Sequence, residues 1–198
     1  GSKEGRRILF VGRNFVRKGG PLVVQAFTIL RKKYLWSAEL YLAGAKESDI
    51  RDALRERQIR VEEVDWQKIH LLGDLGSEKL TDYYNLCDVF CMPSYFEAYG
   101  LVFAEALTYG LPCIGRDKFA MSEFIEDGCT GRLISGEDAE ELALDLWEVL
   151  QDPKYREEVE RRREWYLREY SWDKVAQRIC SVMEKNERDK DQYRSAGV

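Results

Sequence analysis

The chain has 198 residues, which suits one large α/β domain and falls short of two. Apolar residues make up 44% and charged residues 34%, so a core can form in a soluble chain, and a net charge of −5 argues against coating a nucleic acid. No apolar run nears the ~20 residues that span a bilayer, no signal peptide is visible and Gly1-Ser2 reads as a tag remnant, so a cytoplasmic protein is expected.

Arg7 to Gly12 is a short apolar run closed by glycine and reads as a strand buried on both faces. Residues 13–20 form a polar, glycine-containing loop, and Pro21 suits the first turn of a helix reaching Lys33. Ala38 to Gly44 reads as a second strand, Asp49 to Arg57 as a polar helix, and Ile69 to Gly73 as a third strand. Ser77 is the expected cap of a helix running through Asn85. Asp88 to Met92 is the fourth strand, Gly100 to Tyr109 a helix, Pro112 to Gly115 the fifth strand, Ser122 to Glu126 a short helix and Gly131 to Ile134 the last strand. Asp138 then caps a helix to Leu150, Pro153 restarts one to Tyr170, and Ser171 caps another to Asn186. Strands alternating with helices imply an α/β, Rossmann-like open parallel sheet of about six strands, flanked by helices and followed by C-terminal helices. Residues 7–186 form the expected domain, 1–6 a terminal remnant and 187–198 a polar tail.

In open parallel sheets ligands bind beyond the carboxyl ends of the strands. Three loops lie there: residues 12–20, 73–76 and 93–101. In the first, Arg13 and Lys18 place a guanidinium and an ammonium where both can face a diphosphate; a solvated basic loop is the plain alternative. The loop is neither a P-loop nor a G-x-G-x-x-G turn, which argues against an ordinary ATPase or a dinucleotide dehydrogenase. In the third, Glu97 precedes Gly100, where a helix begins, and Glu105 lies four residues beyond Leu101 on the same face. The amides at Gly100 and Leu101 and the helix dipole favour a phosphate, and Glu105 can then reach a ribose. A surface glutamate at 105 and a helix-capping one at 97 are the alternatives.

The remaining candidates read as structural. Cys87, Cys91, Cys113, Cys129 and Cys180 form no C-x-x-C pair and read as free thiols in a reducing compartment. His70, the lone histidine, reads as a satisfied strand residue, and Trp165, Tyr166, Tyr170 and Trp172 as helix packing. With one histidine a zinc site is not expected, and Asp189-Lys190-Asp191 reads as part of a solvated run rather than a metal site.

Taken together, Phe10-Val11-Gly12-Arg13 with Lys18-Gly19, then Pro93-Ser94, Glu97-x7-Glu105-Ala106, Gly110-x-Pro112, and Glu123 followed by Asp127-Gly128 and Gly131 resemble a known family. It is the C-terminal, donor-binding half of retaining glycosyltransferases of the GT-B fold, family 4 (glycosyl transferases group 1), and the resemblance covers residues 7–185. It implies that Arg13 and Lys18, beside Gly12, meet the donor's diphosphate, and that Glu97 binds sugar hydroxyls. It further implies that Gly100 and Leu101 lend amides to phosphate and sugar, Glu105 takes the ribose, and Leu72 and Gly73 contact the base. The resemblance also implies a UDP- or GDP-sugar as donor, no requirement for a metal or other cofactor, and transfer that retains anomeric configuration by a front-face route. An acceptor (a sugar, a lipid or a small molecule) binds the missing N-terminal half, so the isolated chain is expected to bind donor and transfer nothing. Peripheral association of the full-length enzyme with the cytoplasmic face of a membrane fits this picture, as does a role in polysaccharide or glycoconjugate synthesis. An epimerase-like enzyme or a non-catalytic nucleotide-binding module of the same fold is the alternative. Two departures stand out: Phe119-Ala120 where many relatives carry Gly-Gly, and Tyr99 where Phe is common. Bulky Phe119 falls at the sugar end of the pocket.

Overall fold

The computed structural model describes residues 6–171 and 174. Its first strand, β1 (Arg7–Val11), runs Arg-Ile-Leu-Phe-Val, with Ile8, Leu9 and Phe10 fully buried. Both faces of β1 are hidden and both of its edges are paired: it lies between β2 (Glu39–Ala43) and β4 (Val89–Cys91), parallel to each. β3 (Ile69–Gly73) extends the sheet beyond β2, while β5 (Cys113–Arg116) and β6 (Gly131–Ile134) extend it beyond β4. The strand order is β3-β2-β1-β4-β5-β6, all parallel. This doubly wound order reverses direction between β1 and β4, so the loops leaving those two strands diverge and open a crevice.

Helices cover both faces. α1 (Gly20–Lys33) begins with glycine and proline, and buries Val23, Val24, Phe27 and Leu30 completely, each worth about 2 kcal/mol of removed apolar surface. It packs against α6 (Ala139–Gln151) and, less extensively, against α2 (Glu47–Glu56). On the opposite face α3 (Ser77–Leu86) lies over β1, and α4 (Leu101–Thr108) packs on α7 (Lys154–Glu169). α5 (Met121–Phe124) is a single turn between β5 and β6.

Strand and helix bounds fall within a few residues of the sequence expectation, with one correction at a cap. Ser77 is not the cap of α3: Gly76 holds the extended cap conformation, and Ser77 is the first helical residue. Asp138 does cap α6, its Oδ1 accepting from the amides of Glu140 at 2.8 Å and Glu141 at 3.5 Å. The helix expected after Ser171, Trp172, Cys180, the tail at 187–198 and the run Asp189-Lys190-Asp191 lie outside the described residues. No described helix is long and apolar enough to cross a membrane.

Cys87, Cys91 and Cys113 are buried free thiols, and Cys129 is partly exposed. His70 stacks on Tyr41 with ring centres 4.3 Å apart, and its Nε2 lies 3.1 Å from Glu39 Oε2, so it is a satisfied strand residue. Tyr166 is buried and stacks on Tyr170, as expected of helix packing, whereas the Trp165 ring is half exposed.

Candidate functional site

The site is built where the β1–α1 loop meets the β4–α4 loop. The first is a tight turn: Lys18 N donates to Asn14 O, and Gly20 N to Phe15 O. Gly19 closes it with φ +80°, and a Cβ there would lie 2.4 Å from the carbonyl oxygen of Pro93. Only glycine lets the two loops approach so closely. Buried Ser94 stitches them further, donating through Oγ to Arg17 O at 3.2 Å and to Phe96 O at 2.9 Å, while Tyr95 N donates to Arg17 O. The Arg17 guanidinium returns a bond to Phe96 O.

Across this seam Lys18 Nζ donates to Glu97 Oε2 in a close ion pair. The two side chains are only 13% and 14% exposed, so neither charge is freely solvated. Two charges this far out of water hold each other strongly, and removing one leaves the other expensive. The sequence placed these residues on separate ligand groups; the structure brings them together.

Arg13 is held elsewhere. Its Nε and one terminal nitrogen donate to the two carboxylate oxygens of Asp74 at 3.1 and 3.0 Å, an exposed bidentate pair joining the β1 and β3 loops. Beneath it lies a cleft of about 140 Å³ lined by Gly12, Arg13, Gly44, Asp74, Leu75 and Leu80. Leu72 is the extra residue of a bulge, because Leu42 pairs with Leu71 and Ala43 with Gly73. Gly73 follows with φ +63° and open space where a Cβ would stand.

α4 starts at Leu101, one residue later than expected, with Gly100 as a left-handed cap at φ 64°. A Cβ on Gly100 would meet the Phe124 ring at 2.8 Å. Leu101 and Glu105 are both exposed on the same helix face, as expected. Glu105 also accepts a 2.9 Å hydrogen bond from the Tyr84 hydroxyl. Burial, and then Glu105, push that phenol far above its ordinary range. The amides of Leu101 and Val102, at the helix start, have no partner within the helix.

Sequence reasoning missed Asp74, Tyr84, Arg116 and Tyr95. Arg116, at the end of β5, is 4% exposed. Its guanidinium donates to Gly136 O at 2.7 Å and to Pro93 O at 3.4 Å, and stacks over the Tyr95 ring at 4.7 Å, leaving Nε without a partner among the described residues. It thereby fixes the carbonyl of Pro93, the residue that opens the Glu97 loop. Nothing local marks these residues, since each finds its partner across the fold. Among the described residues, no three or more of His, Cys, Asp and Glu gather into a metal-ligating group. A cleft of about 520 Å³ is at the opposite end of the sheet, bordered by Arg6, Asp88, Pro112 and Arg156.

A doubly wound parallel sheet whose crevice opens between β1 and β4 places the protein in the Rossmann-like class of α/β domains. Residues 2–166 match the glycosyl transferases group 1 family, and the chain belongs to that family. It is 28% identical over 184 residues to the phosphatidyl-myo-inositol mannosyltransferase of Mycolicibacterium smegmatis, covering 92% of this chain and 46% of that protein. Its fold is shared with GT-B glycosyltransferases of known structure. The Anabaena protein HepE in complex with UDP and glucose superposes with a TM-score of 0.77 at 18% identity, covering 91% of this chain and 48% of that one. The pneumococcal O-GlcNAc transferase GtfA in complex with UDP and GlcNAc gives 0.70 at 24% identity, covering 92% and 37%. The chain spans under half the length of the curated relatives it matches.

Proposed function

We propose that this chain is the donor-binding half of a retaining, metal-independent glycosyltransferase that uses a UDP- or GDP-sugar. The observation that carries this reading is the Lys18–Glu97 pair across the β1–β4 crevice, in a chain of this family. The amides at the start of α4 and the Lys18 ammonium lie on the two loops that meet at the crevice, and both favour an anion. Arg13 supplies a second cation, so the diphosphate's charge is balanced by the protein itself. Leu72 and Gly73, at the bulged end of β3, form the base-contacting edge, and Glu105 receives the ribose.

The ion pair suggests an exchange of partners. Lys18 leaves Glu97 for the diphosphate, and Glu97 turns to the sugar hydroxyls, so neither largely buried charge is left alone. A nucleoside diphosphate lacking the sugar satisfies only Lys18. In the transfer step the bond from the anomeric carbon to the diphosphate oxygen breaks, and its electron pair stays on that oxygen. The acceptor hydroxyl bonds to the anomeric carbon from the same face, and its proton passes to the departing phosphate oxygen. Charge builds on the diphosphate, which Lys18 and Arg13 reach once they leave Glu97 and Asp74 and which the α4 amides also favour, and loss of one such donor costs about 3 kcal/mol, or ~100-fold in rate. Glu97 orients the sugar and is not a nucleophile. The acceptor site belongs to the other half of the enzyme, so residues 1–198 bind donor and transfer nothing alone.

Calorimetric titration with UDP and GDP tests the reading. One of them should bind, the corresponding nucleotide sugar should bind more tightly, and Lys18→Ala, Arg13→Ala and Glu105→Ala should each weaken binding. No binding at millimolar nucleotide would instead indicate a scaffold of the same fold, and normal binding by all three variants would sink the site. For a chain carrying both halves, inversion of the product's anomeric centre by NMR would refute the mechanism.

A further inference from the structure

Among the described residues only Gln58 and Phe119 are non-glycines with positive φ. Gln58, at φ 57°, ends α2: its amide donates to Arg55 O and that of Ile59 to Leu54 O, an ordinary helix terminus. Phe119, at φ 56°, lies in the loop between β5 and α5 and has no such explanation. Glycine or asparagine would make the same turn at less cost, so the turn does not call for a phenylalanine. Core burial does not call for it either, because the side chain is 50% exposed.

What the backbone achieves is the placement of the ring. Phe119 stands edge-on to Phe96 with ring centres 5.1 Å apart, and Phe96 is itself 51% exposed and immediately precedes Glu97. The amide of Ala120 donates to the carbonyl oxygen of Glu97 at 3.4 Å, and Ser122 Oγ bonds back to Phe119 O at 3.1 Å. The strained residue is therefore fastened to the Glu97 loop through a backbone bond and a ring contact. Strain maintained at a residue that is not buried in the core is a mark of function, and the inference runs from the strain to the role.

We propose that Phe119 is a specificity-determining residue. Its ring, braced by Phe96, forms one wall of the space that the donor's sugar enters beside Glu97, and it limits which sugars fit. The proposal rests on the reading of Glu97 as the sugar-facing acid. An aromatic wall carries no hydrogen-bonding group, so it discriminates by the shape and bulk of ring substituents. Such discrimination amounts to roughly 10- to 200-fold for a group the size of a methylene.

The test is calorimetric titration of the wild-type chain, Phe119→Gly and Phe119→Asn. Both replacements tolerate a left-handed backbone, and unchanged melting temperatures check that they fold. The ligands are UDP, UDP-glucose, UDP-galactose and UDP-N-acetylglucosamine, or GDP, GDP-mannose and GDP-fucose if GDP is the nucleotide bound. The expected result is a nucleotide Kd within about twofold of wild type and a spread of Kd across the sugars compressed at least threefold. An unchanged spread and ranking in both variants overturns the proposal and leaves the nucleotide-sugar reading standing. So does a loss of nucleotide affinity with the sugar spread intact, because Phe119 would then act on the other end of the ligand. A wild-type chain that binds neither nucleotide nor nucleotide sugar overturns both.

Discussion

Single positions decide how closely the two site loops meet. Gly19→Ala faces both a left-handed φ of 80° and a carbonyl oxygen 2.4 Å from the new Cβ, so it should cost roughly 3 kcal/mol and loosen the seam that seats Lys18. Gly73→Ala has a similar φ but open space around it and should cost only about 1 kcal/mol. Urea midpoints of the two variants check the difference, and equal losses would remove the role of the Pro93 contact. The sequence singled out Arg13, Lys18, Glu97 and Glu105 as candidates but not the partners that hold them. Lys18 and Glu97 are 79 residues apart, and nothing local shows that they share a salt bridge. Arg13 stood out for its charge next to a strand end, while Asp74, which holds it, is a lone acid in the short β3–α3 loop with no motif around it. Tyr84 carried no signal because its hydroxyl acts on another helix.

Helix and strand bounds were legible because the determinants are local. Asp138 stands before an apolar-periodic run and caps it as expected, and Asp138→Ala should lower stability by about 1 kcal/mol, read as a shift in the urea midpoint. Ser77 shows how the same logic slips by one residue. Serine is a good cap, but Gly76 already holds the extended conformation that the cap position needs, so the chain turns into the helix one step earlier. α4 slips the other way: Gly100 takes the left-handed cap and Leu101 becomes the first helical residue, which keeps the amides of Leu101 and Val102 at the open end. The bulge at Leu72 could not be read at all, since it exists only in the pairing of β3 with β2. It ends that strand on a residue that the family resemblance had placed against the base.

For the whole molecule the alternation of strands and helices told the class of fold, but the order of the strands is a property of packing and had to be seen. The core it builds is dry enough to hold thiols un-ionised: burial pushes Cys87 from about 9 up to about 12. The unfolded chain ionises its thiol near the ordinary value while the folded chain keeps its proton, so between those two values the unfolded state binds fewer protons. Stability should therefore fall as pH rises from about 9 towards 12, with Tyr84, also raised by burial, adding in the same direction above 10. The urea midpoint measured against pH checks this, and Cys87→Ala should flatten the alkaline decline; an identical slope would assign the effect elsewhere. The strand order has a further consequence for synthesis. β1 is synthesised before β4, so it gains its second neighbour only once Val89–Cys91 has followed. Until then β2 and β3 can dock on one side, and the other edge of Ile8-Leu9-Phe10 stays bare, a template for any passing strand. The segment that will sit deepest in the finished sheet is thus the one a nascent chain most needs a chaperone to shield.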